Sequence, residues 1–244
     1  MAKAYLDVNK PKRSQFREKR REAVSGVIVI HTAENEADLV GADSGAENVA
    51  KFIQNRTDPG SYHRLVDSDS IVKLVRLGCE AYGDGTGSNP HAIHLSVAVR
   101  TVDWAKMSKS KRTEYIANLA KAANEARKWL KNKHNITVPA KRISRAESEK
   151  RLPGFIGHGD RDPGRRSDPG ADFPWDEFLA AYVALSKPTK VIKNPSSSKN
   201  TKAKKAQKTR RIILRAEKRG TKDKVITKAQ LRKLKSVRVA LRFK

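Results

Sequence analysis

The Val-Ile-Val-Ile run at residues 27–30 constrains the fold of this chain more than any other stretch. Consecutive β-branched residues of this kind are typical of a strand that is buried on both faces, at the centre of a sheet. His31 and Thr32 follow directly, and a histidine at the end of a central strand lies at the sheet edge where α/β proteins place their chemistry. The plainer alternative is a histidine that only forms a hydrogen bond under a loop.

Strand and helix patterns alternate after this run, up to residue 186. In chain order, the predicted elements are a helix at 44–55, a hairpin formed by 61–67 and 71–75, a loop at 83–90, a strand at 93–99, a helix at 109–133, a short helix that begins at Ser144, and a helix at 175–186. A further helix is predicted at 15–24, with Ser14 as its N-cap. The alternation predicts an α/β fold, in which helices flank a central mixed β-sheet on both faces.

Most of the positive charge lies in the last quarter of the chain. The 244 residues include 53 Lys and Arg against 26 Asp and Glu, and residues 187–244 alone hold 22 against 2. Apolar residues between 231 and 243 fit a helical stripe and a strand equally well. The predicted segments are a basic lead-in at 1–26, a near-neutral globular body at 27–186, a flexible basic linker at 187–209 and a small basic C-terminal segment at 210–244.

The composition argues against several classes of protein. The single cysteine, Cys79, excludes an internal disulfide framework and a Cys-rich zinc cluster. Since the chain has no run of about 18 apolar residues, no membrane-spanning segment is predicted. The first residues carry charge but no apolar core of the kind found in signal peptides, so no signal peptide is expected.

A loop at residues 157–175 carries two residues suited to metal binding. Its Asp-Pro-Gly turns at 162–164 and 168–170 are favoured by the fixed φ of proline and the conformational freedom of glycine. Such a loop can return Asp168 to His158, and both residue types are zinc ligands, so a second histidine from elsewhere would complete a three-ligand site with an open position. In the alternative, Asp168 only begins a turn and His158 only caps a strand.

Residues 27–180 resemble the zinc-dependent N-acetylmuramoyl-L-alanine amidases of type 2, which are related to the peptidoglycan recognition proteins. The resemblance rests on four motifs that occur in the family's order. They are His31-Thr32 at the end of the Val/Ile strand, Tyr62-His63 on the hairpin, Asn89 to Leu95 where the family has an Asn-x-x-Ser-Ile-Gly-Ile strand, and the Gly-His-x-Asp…Arg-x-Asp-Pro-Gly…Trp run at 157–175. With its added basic tail, the chain looks like a phage endolysin.

The resemblance implies a Zn²⁺ ion held by His31, His158 and Asp168. The fourth position would be taken by a water molecule that the metal activates for attack on a carbonyl carbon. The bond cleaved would be the lactyl amide between N-acetylmuramic acid and L-alanine. Residues 27–186 would then be the catalytic domain of a peptidoglycan hydrolase.

Two positions depart from the family pattern. Ser96 stands where many relatives have a glutamate acid/base, and Arg166 stands where they have a lysine. Some relatives use a tyrosine at the hairpin position of Tyr62, so we expect Tyr62 to orient the water or the oxyanion, with Arg166 as a stabilising charge. The weaker candidates are expected to contact substrate in the cleft or to pack beneath it; they are His63, His94, Ser96 and Asn89.

The resemblance also implies partners and a place of action. A bacteriolytic endolysin would act on peptidoglycan as a monomer, and it would be made in the cytoplasm of a phage-infected host and reach the cell wall after release. The basic tail would bind anionic wall polymers or the membrane surface. No specific nucleic acid is expected, because nothing aromatic is interleaved in residues 187–242 to stack bases.

Two other functions remain open at this point. One is a non-catalytic peptidoglycan receptor, which the same fold becomes when a metal ligand is lost. The other is a polyanion-binding or nucleic-acid-binding protein, and this alternative rests on the basic tail alone.

A chain truncated after residue 187 tests the role of the tail. Counterion release lets a cationic segment bind anionic surfaces without specific contacts, and tethering raises the local enzyme concentration. We therefore expect the truncated protein to keep its activity on soluble muropeptides and to lose most of its activity in turbidity assays on whole walls. The advantage of the full chain should shrink as salt rises. Unchanged wall binding in a low-salt pull-down would show that the tail is not the anchor.

Overall fold

The computed structural model describes residues 6–7, 15–34 and 44–186. The strands are β1 (Leu6–Asp7), β2 (Phe16–Arg17), β3 (Val27–Thr32), β4 (Arg64–Val66), β5 (Ile71–Lys73), β6 (Glu80–Ala81), β7 (Ile93–Val97) and β8 (Gly154–Gly157). The α-helices are α1 (Gly45–Asn55), α2 (Lys109–His134), α3 (Arg145–Glu149), α4 (His158–Arg161) and α5 (Trp175–Ser186), and a 3₁₀ helix spans Thr101–Lys106. The predicted linker at 187–209 and basic segment at 210–244 lie outside the described residues.

A mixed six-stranded sheet with the strand order β1-β5-β4-β7-β3-β8 forms the centre of the fold. β3 lies between β7 and β8 and is parallel to both, whereas β4 is parallel to β7 and antiparallel to β5. Every residue of β3 is buried, as its β-branched run predicts, and β4 with β5 forms the predicted hairpin. β2 and β6 form a separate antiparallel pair. The predicted α/β fold with a central mixed sheet flanked by helices is confirmed.

Two helices cover one face of the sheet. α2 begins after Ser108, whose side chain accepts a hydrogen bond from a backbone N–H, and ends at Asn135, which has a left-handed φ of 56°. α2 packs with α5 over strand residues that include Ile28, Ile30, Ile93, Leu95 and Val97. Burial of each large side chain in this core stabilises the fold by about 1.5–3 kcal/mol. None of the described helices is both long and apolar enough to cross a bilayer.

The other face of the sheet carries two apolar clusters with polar residues between them. On the β4–β5 side, α1 contributes to a cluster that contains Ala46, Val49, Ala50, Ile53, Leu65 and Val72. On the β3–β8 side, a smaller cluster contains Val27, Val29, Ala92, Ile143 and Ile156. Because side chains alternate along a strand, His31 lies on this face in β3, and His94 and Ser96 lie on it in β7. The polar positions of the sheet therefore gather on the face that the long helices leave.

Residues 15–24 do not form the helix that Ser14 predicts. They form β2 followed by an irregular segment. Gln15 and Arg20 in this segment donate hydrogen bonds to carbonyl oxygens of remote residues, which are Arg56, Asp58, Leu77 and Ala92. Because these buried carbonyl groups need donors, the long-range contacts override the local capping signal.

The loop that carries Asp168 is tied to the main core through Trp104. This residue lies in the 3₁₀ helix and is 1% exposed, and its ring meets that of Phe173 edge-on, with centroids 5.2 Å apart. Its Nε1 donates a hydrogen bond to the carbonyl oxygen of Pro169, 3.0 Å away. A buried carbonyl group next to Asp168 therefore depends on this indole N–H.

We expect Trp104→Phe to lower the free energy of unfolding by about 1–3 kcal/mol, because the Pro169 carbonyl loses its donor in a buried place. Urea denaturation of the full chain measures the change. Trp129→Phe is the matched control, because Trp129 is only partly buried against the same core. If Trp104→Phe costs no more stability than the control, this hydrogen bond does not hold the loop.

Candidate metal centre

The carboxyl ends of two adjacent parallel strands bring two histidines together. In the pairing of β3 with β8, Ile30 lies opposite Gly157, so His31 and His158 follow at the same edge of the sheet. His158 is also the first residue of α4, where the chain turns away from the sheet. Each histidine is thus placed by the buried strand that precedes it.

Asp168 returns to this edge through a close approach of two backbone segments. The Gly159 N–H donates a hydrogen bond to the Asp168 carbonyl oxygen at 2.6 Å. A Cβ atom on Gly159 would lie 2.8 Å from the carbonyl carbon of Ser167, so a larger residue would push the segments apart. The Gly170 N–H donates to the Ser167 carbonyl oxygen and closes the turn that the Asp-Pro-Gly sequence predicts.

The side chains of His31, His158 and Asp168 converge on one point. His31 Nδ1 lies 3.1 Å from Asp168 Oδ2, and His158 Nδ1 lies 3.1 Å from Asp168 Oδ1. One ligand atom from each residue lies within 4.8 Å of the other two. Ligands at about 2.0–2.2 Å from a tetrahedral zinc are about 3.3–3.6 Å apart, so this set fits the metal after small side-chain adjustments. Two imidazole nitrogens and one carboxylate oxygen are also donors that suit zinc.

The electrostatics at this point favour the metal-binding forms of two of the residues. Burial raises the pKa of the Asp168 carboxyl group, but hydrogen bonds with His158 and His31 outweigh that effect and hold the pKa below its ordinary value. Burial lowers the pKa of His31, and the nearby Asp168 opposes this shift only in part. Near pH 7 Asp168 is therefore ionised and His31 neutral, as metal coordination requires.

The imidazole nitrogens that face away from Asp168 also have partners. His31 Nε2 lies 3.1 Å from His94 Nδ1, and His158 Nε2 lies 3.2 Å from the carbonyl oxygen of Asp84. The Asp84 carboxylate in turn forms a buried ion pair with Arg161, whose Nε lies 3.0 Å away. The loop at 83–90 is therefore part of the site.

The sequence analysis assigned no role to Asp84 or Arg161. Their contact joins residues 77 positions apart, and neither residue lies in a local pattern that marks it. The composition of the 83–90 loop indicates a loop, but it does not indicate which site the loop approaches.

A cleft of about 670 Å³ opens beside the metal centre, and His158 and Tyr62 form part of its wall. The cleft is strongly basic, because Asp84 is the only acidic residue among the described residues that line it. The arginines that line it are Arg17, Arg21, Arg56, Arg165 and Arg166. Arg17, Arg21 and Arg56 were not predicted to lie here, and because they come from separate segments no single motif could have marked them together.

Tyr62 lies beside the metal centre, with its ring centroid 5.0 Å from that of His31. Burial raises the pKa of the Tyr62 hydroxyl to about 12, and the charge of Asp168 adds to the effect, whereas the charges of Arg166 and Arg56 oppose it. Tyr62 therefore keeps its proton at neutral pH and can donate a hydrogen bond. Arg166 is exposed and lines the same cleft, so the two residues predicted to act on the substrate both lie there.

The four weaker candidates lie in and beneath the cleft. Asn89 lines it, and its Oδ1 accepts hydrogen bonds from two backbone N–H groups of the 83–90 loop, at 2.9 and 3.1 Å. His63, His94 and Ser96 have no exposed surface. Their positions agree with the expected packing role and lend no support to direct contact with a substrate.

Solved structures share this fold. The Staphylococcus aureus hydrolase AmiA in complex with its ligand superposes with a TM-score of 0.53 at 14% sequence identity, over 76% of this chain and 86% of that one. A mutant endolysin from Bacillus subtilis is 22% identical with a TM-score of 0.48, over 75% of this chain and 99% of that one. At these identities the likeness bears on the fold alone, and AmiA shares the mixed sheet with its flanking helices.

A family match extends over the whole site. No curated protein sequence matches the chain. Residues 20–171, well over half of the 244 residues, match the family model described as N-acetylmuramoyl-L-alanine amidase. This range contains His31, Tyr62, His158, Arg166 and Asp168. The chain therefore belongs to the N-acetylmuramoyl-L-alanine amidase family.

Proposed function

We propose that this chain is a zinc-dependent amidase that hydrolyses the bond between N-acetylmuramic acid and L-alanine in peptidoglycan. The observation that carries the proposal is the meeting of His31 Nδ1, His158 Nδ1 and the Asp168 carboxylate beside a cleft, in a chain of this family. A non-catalytic receptor of the same fold would lack one of these ligands, so their presence together favours the enzyme.

The proposed metal ligands are His31, His158 and Asp168, and a Zn²⁺ ion bound to them would lower the pKa of a coordinated water and polarise the scissile carbonyl. The surrounding residues hold the two imidazoles in place. Asp168 faces both Nδ1 atoms, while His94 and the Asp84 carbonyl face the two Nε2 atoms. Each histidine is thus held on both sides of its ring, which keeps the ligand set ready for the ion.

Tyr62 and Arg166 stabilise the negative charge that develops on the carbonyl oxygen. Because Tyr62 keeps its proton, its O–H can donate a hydrogen bond to that oxygen. The Arg166 guanidinium stays charged and hardly releases a proton, so Arg166 acts as an electrostatic stabiliser rather than a proton shuttle. Ser96, at the position of the family's glutamate, is buried and does not accept a proton at neutral pH. The chain therefore depends more on electrostatic stabilisation than relatives with the glutamate do.

The basic cleft suits an anionic peptide. Peptidoglycan stem peptides carry carboxylates, and guanidinium groups bind carboxylates through paired hydrogen bonds. Arg21 and Arg165 are already paired with Glu80 and Asp162. The remaining cleft arginines have no carboxylate within hydrogen-bond distance among the described residues; they are Arg17, Arg56 and Arg166. Their charge raises the local concentration of an anionic substrate.

We also propose the biological role of a bacteriolytic endolysin that works as a monomer on the cell wall after release from the host cytoplasm. The support is the family of the chain together with the charge of residues 187–244, which hold 22 Lys and Arg against 2 Asp and Glu. A cationic segment of this kind holds an enzyme on an anionic, insoluble substrate.

Removal of any one metal ligand should abolish hydrolysis. We expect His31→Ala, His158→Ala and Asp168→Ala each to lose bound zinc, because a three-ligand site cannot spare a donor. Elemental analysis and release of stem peptide from purified peptidoglycan measure the two effects. His134→Ala is the control, because His134 is exposed at the end of α2. About one zinc per chain in all three ligand variants would overturn the assignment.

Tyr62→Phe should lower kcat by about 10²–10³ while zinc stays bound, because one donor to the developing oxyanion is removed. The measurement is turnover of muropeptides at saturating zinc, together with metal content. Tyr82→Phe is the matched control, because Tyr82 lines the same cleft. Equal turnover in Tyr62→Phe and the unaltered protein would remove Tyr62 from the mechanism.

A further inference from the structure

The proposed metal ligand His31 makes a contact on the side of its ring that faces away from Asp168. Its Nε2 lies 3.1 Å from Nδ1 of His94, and neither side chain has exposed surface. The two histidines belong to adjacent strands, β3 and β7. No role in metal binding was predicted for His94 from the sequence.

The geometry decides which nitrogen of His31 carries the proton. Both His31 and His158 turn Nδ1 toward Asp168. A neutral imidazole that coordinates through Nδ1 carries its proton on Nε2, and that N–H needs an acceptor. For His158 the acceptor is the Asp84 carbonyl oxygen, 3.2 Å away. For His31 it is His94 Nδ1, the partner that lies within hydrogen-bond distance of Nε2.

His94 can play this part only if its own Nδ1 is unprotonated and its ring is held still. With Nδ1 as acceptor, the proton of His94 lies on Nε2, which is buried and has no hydrogen-bond partner among the described residues. Turning the ring over would move Nδ1 away from His31. An unpaired buried N–H therefore persists in favour of the contact with His31.

The surroundings of His94 hold the ring in this orientation. A Cβ atom on Gly83 would lie 2.3 Å from His94 Cγ and Nδ1, so the loop backbone presses directly on the ring. The His63 ring lies parallel to it, at an interplanar angle of 8° and a centroid distance of 6.0 Å. His63 Nδ1 also accepts the backbone N–H of His94 at 2.9 Å. Burial, together with the charge of Arg20, holds the pKa of His63 well below 6.5, so His63 stays neutral and keeps this acceptor.

We propose that His94 is a positioning residue, which accepts the Nε2–H of His31 and so sets the tautomer and orientation in which His31 presents Nδ1 to the metal. His63 and Gly83 hold His94 in place. The inference rests on the proposed zinc site. It replaces the expected packing or substrate role of His94 with a function in metal affinity.

The test is the zinc affinity of the full chain, measured by competition with a chromogenic chelator. His94→Leu removes the acceptor, and we expect the dissociation constant for zinc to rise about 10- to 100-fold. His94→Asn keeps an oxygen near the place of Nδ1, so its affinity should stay within a few-fold of the unaltered protein. His91→Leu is the control, because His91 is a buried histidine bound to Ser25 and makes no contact with the metal ligands.

The outcomes separate the two proposals. If the unaltered protein binds no zinc, the proposed function fails. If it binds zinc, and folded His94→Leu binds zinc as tightly or His94→Asn binds as weakly as His94→Leu, the positioning role is wrong. Should His94→Leu fail to fold, nitrogen NMR of the unaltered zinc-loaded chain decides. A proton on His31 Nε2 supports the proposal, and a metal bond at His31 Nε2 overturns it.

Discussion

The Asp168 carboxylate, placed between Nδ1 of His31 and Nδ1 of His158, is the interaction on which the site depends. It joins segments that are far apart in the chain, since 137 positions separate His31 from Asp168. A carboxylate that is 8% exposed is costly unless its oxygens are satisfied, and here one imidazole serves each oxygen. The close approach at Gly159 and the anchoring of the loop by Trp104 serve the same end, because both hold this carboxylate against the sheet edge.

Stability and chemistry are divided between the two faces of one sheet. Along β3 the side chains alternate, so Ile28 and Ile30 enter the core under α2 and α5, while Val29 and His31 face the other way. The long helices supply most of the apolar burial on the first face. The second face can therefore hold polar and charged groups, whose desolvation is offset by hydrogen bonds within the site and by the core behind them.

Beneath the cleft lies a layer of buried polar residues that extends the site inward from its ligands. His31 leads to His94, and His94 leads through its backbone N–H to His63. On the other side, His158 leads to Asp84, which is paired with Arg161. Such layers fix ring orientation and tautomer, and for a metal centre these are as important as the identity of the ligands. The arginines of the cleft wall act at longer range, through the charge that they present to a substrate.

Features that depend on near neighbours in the chain could be predicted from the sequence. The β-branched run predicted β3, apolar periodicity predicted α2 and α5, and capping by Ser144 predicted α3, because burial of one face and satisfaction of a helix end are local requirements. The strand-end histidine and the two Asp-Pro-Gly turns likewise indicated a metal site before any fold was known. The helix predicted at 15–24 was wrong, because the local signal there competes with carbonyl groups 36 or more positions away that need donors.

Only the tertiary structure decided what surrounds the predicted ligands. Nothing near Asp84 in the chain points to Arg161 or to His158, and nothing near His94 points to the Nε2 of His31. The sequence by itself determined the central strand, its covering helices and the kinds of residue that can hold a metal. The folded chain decided which of these residues meet and how their rings are turned, because hydrogen bonds between distant segments exist only once the sheet has set their distance and direction.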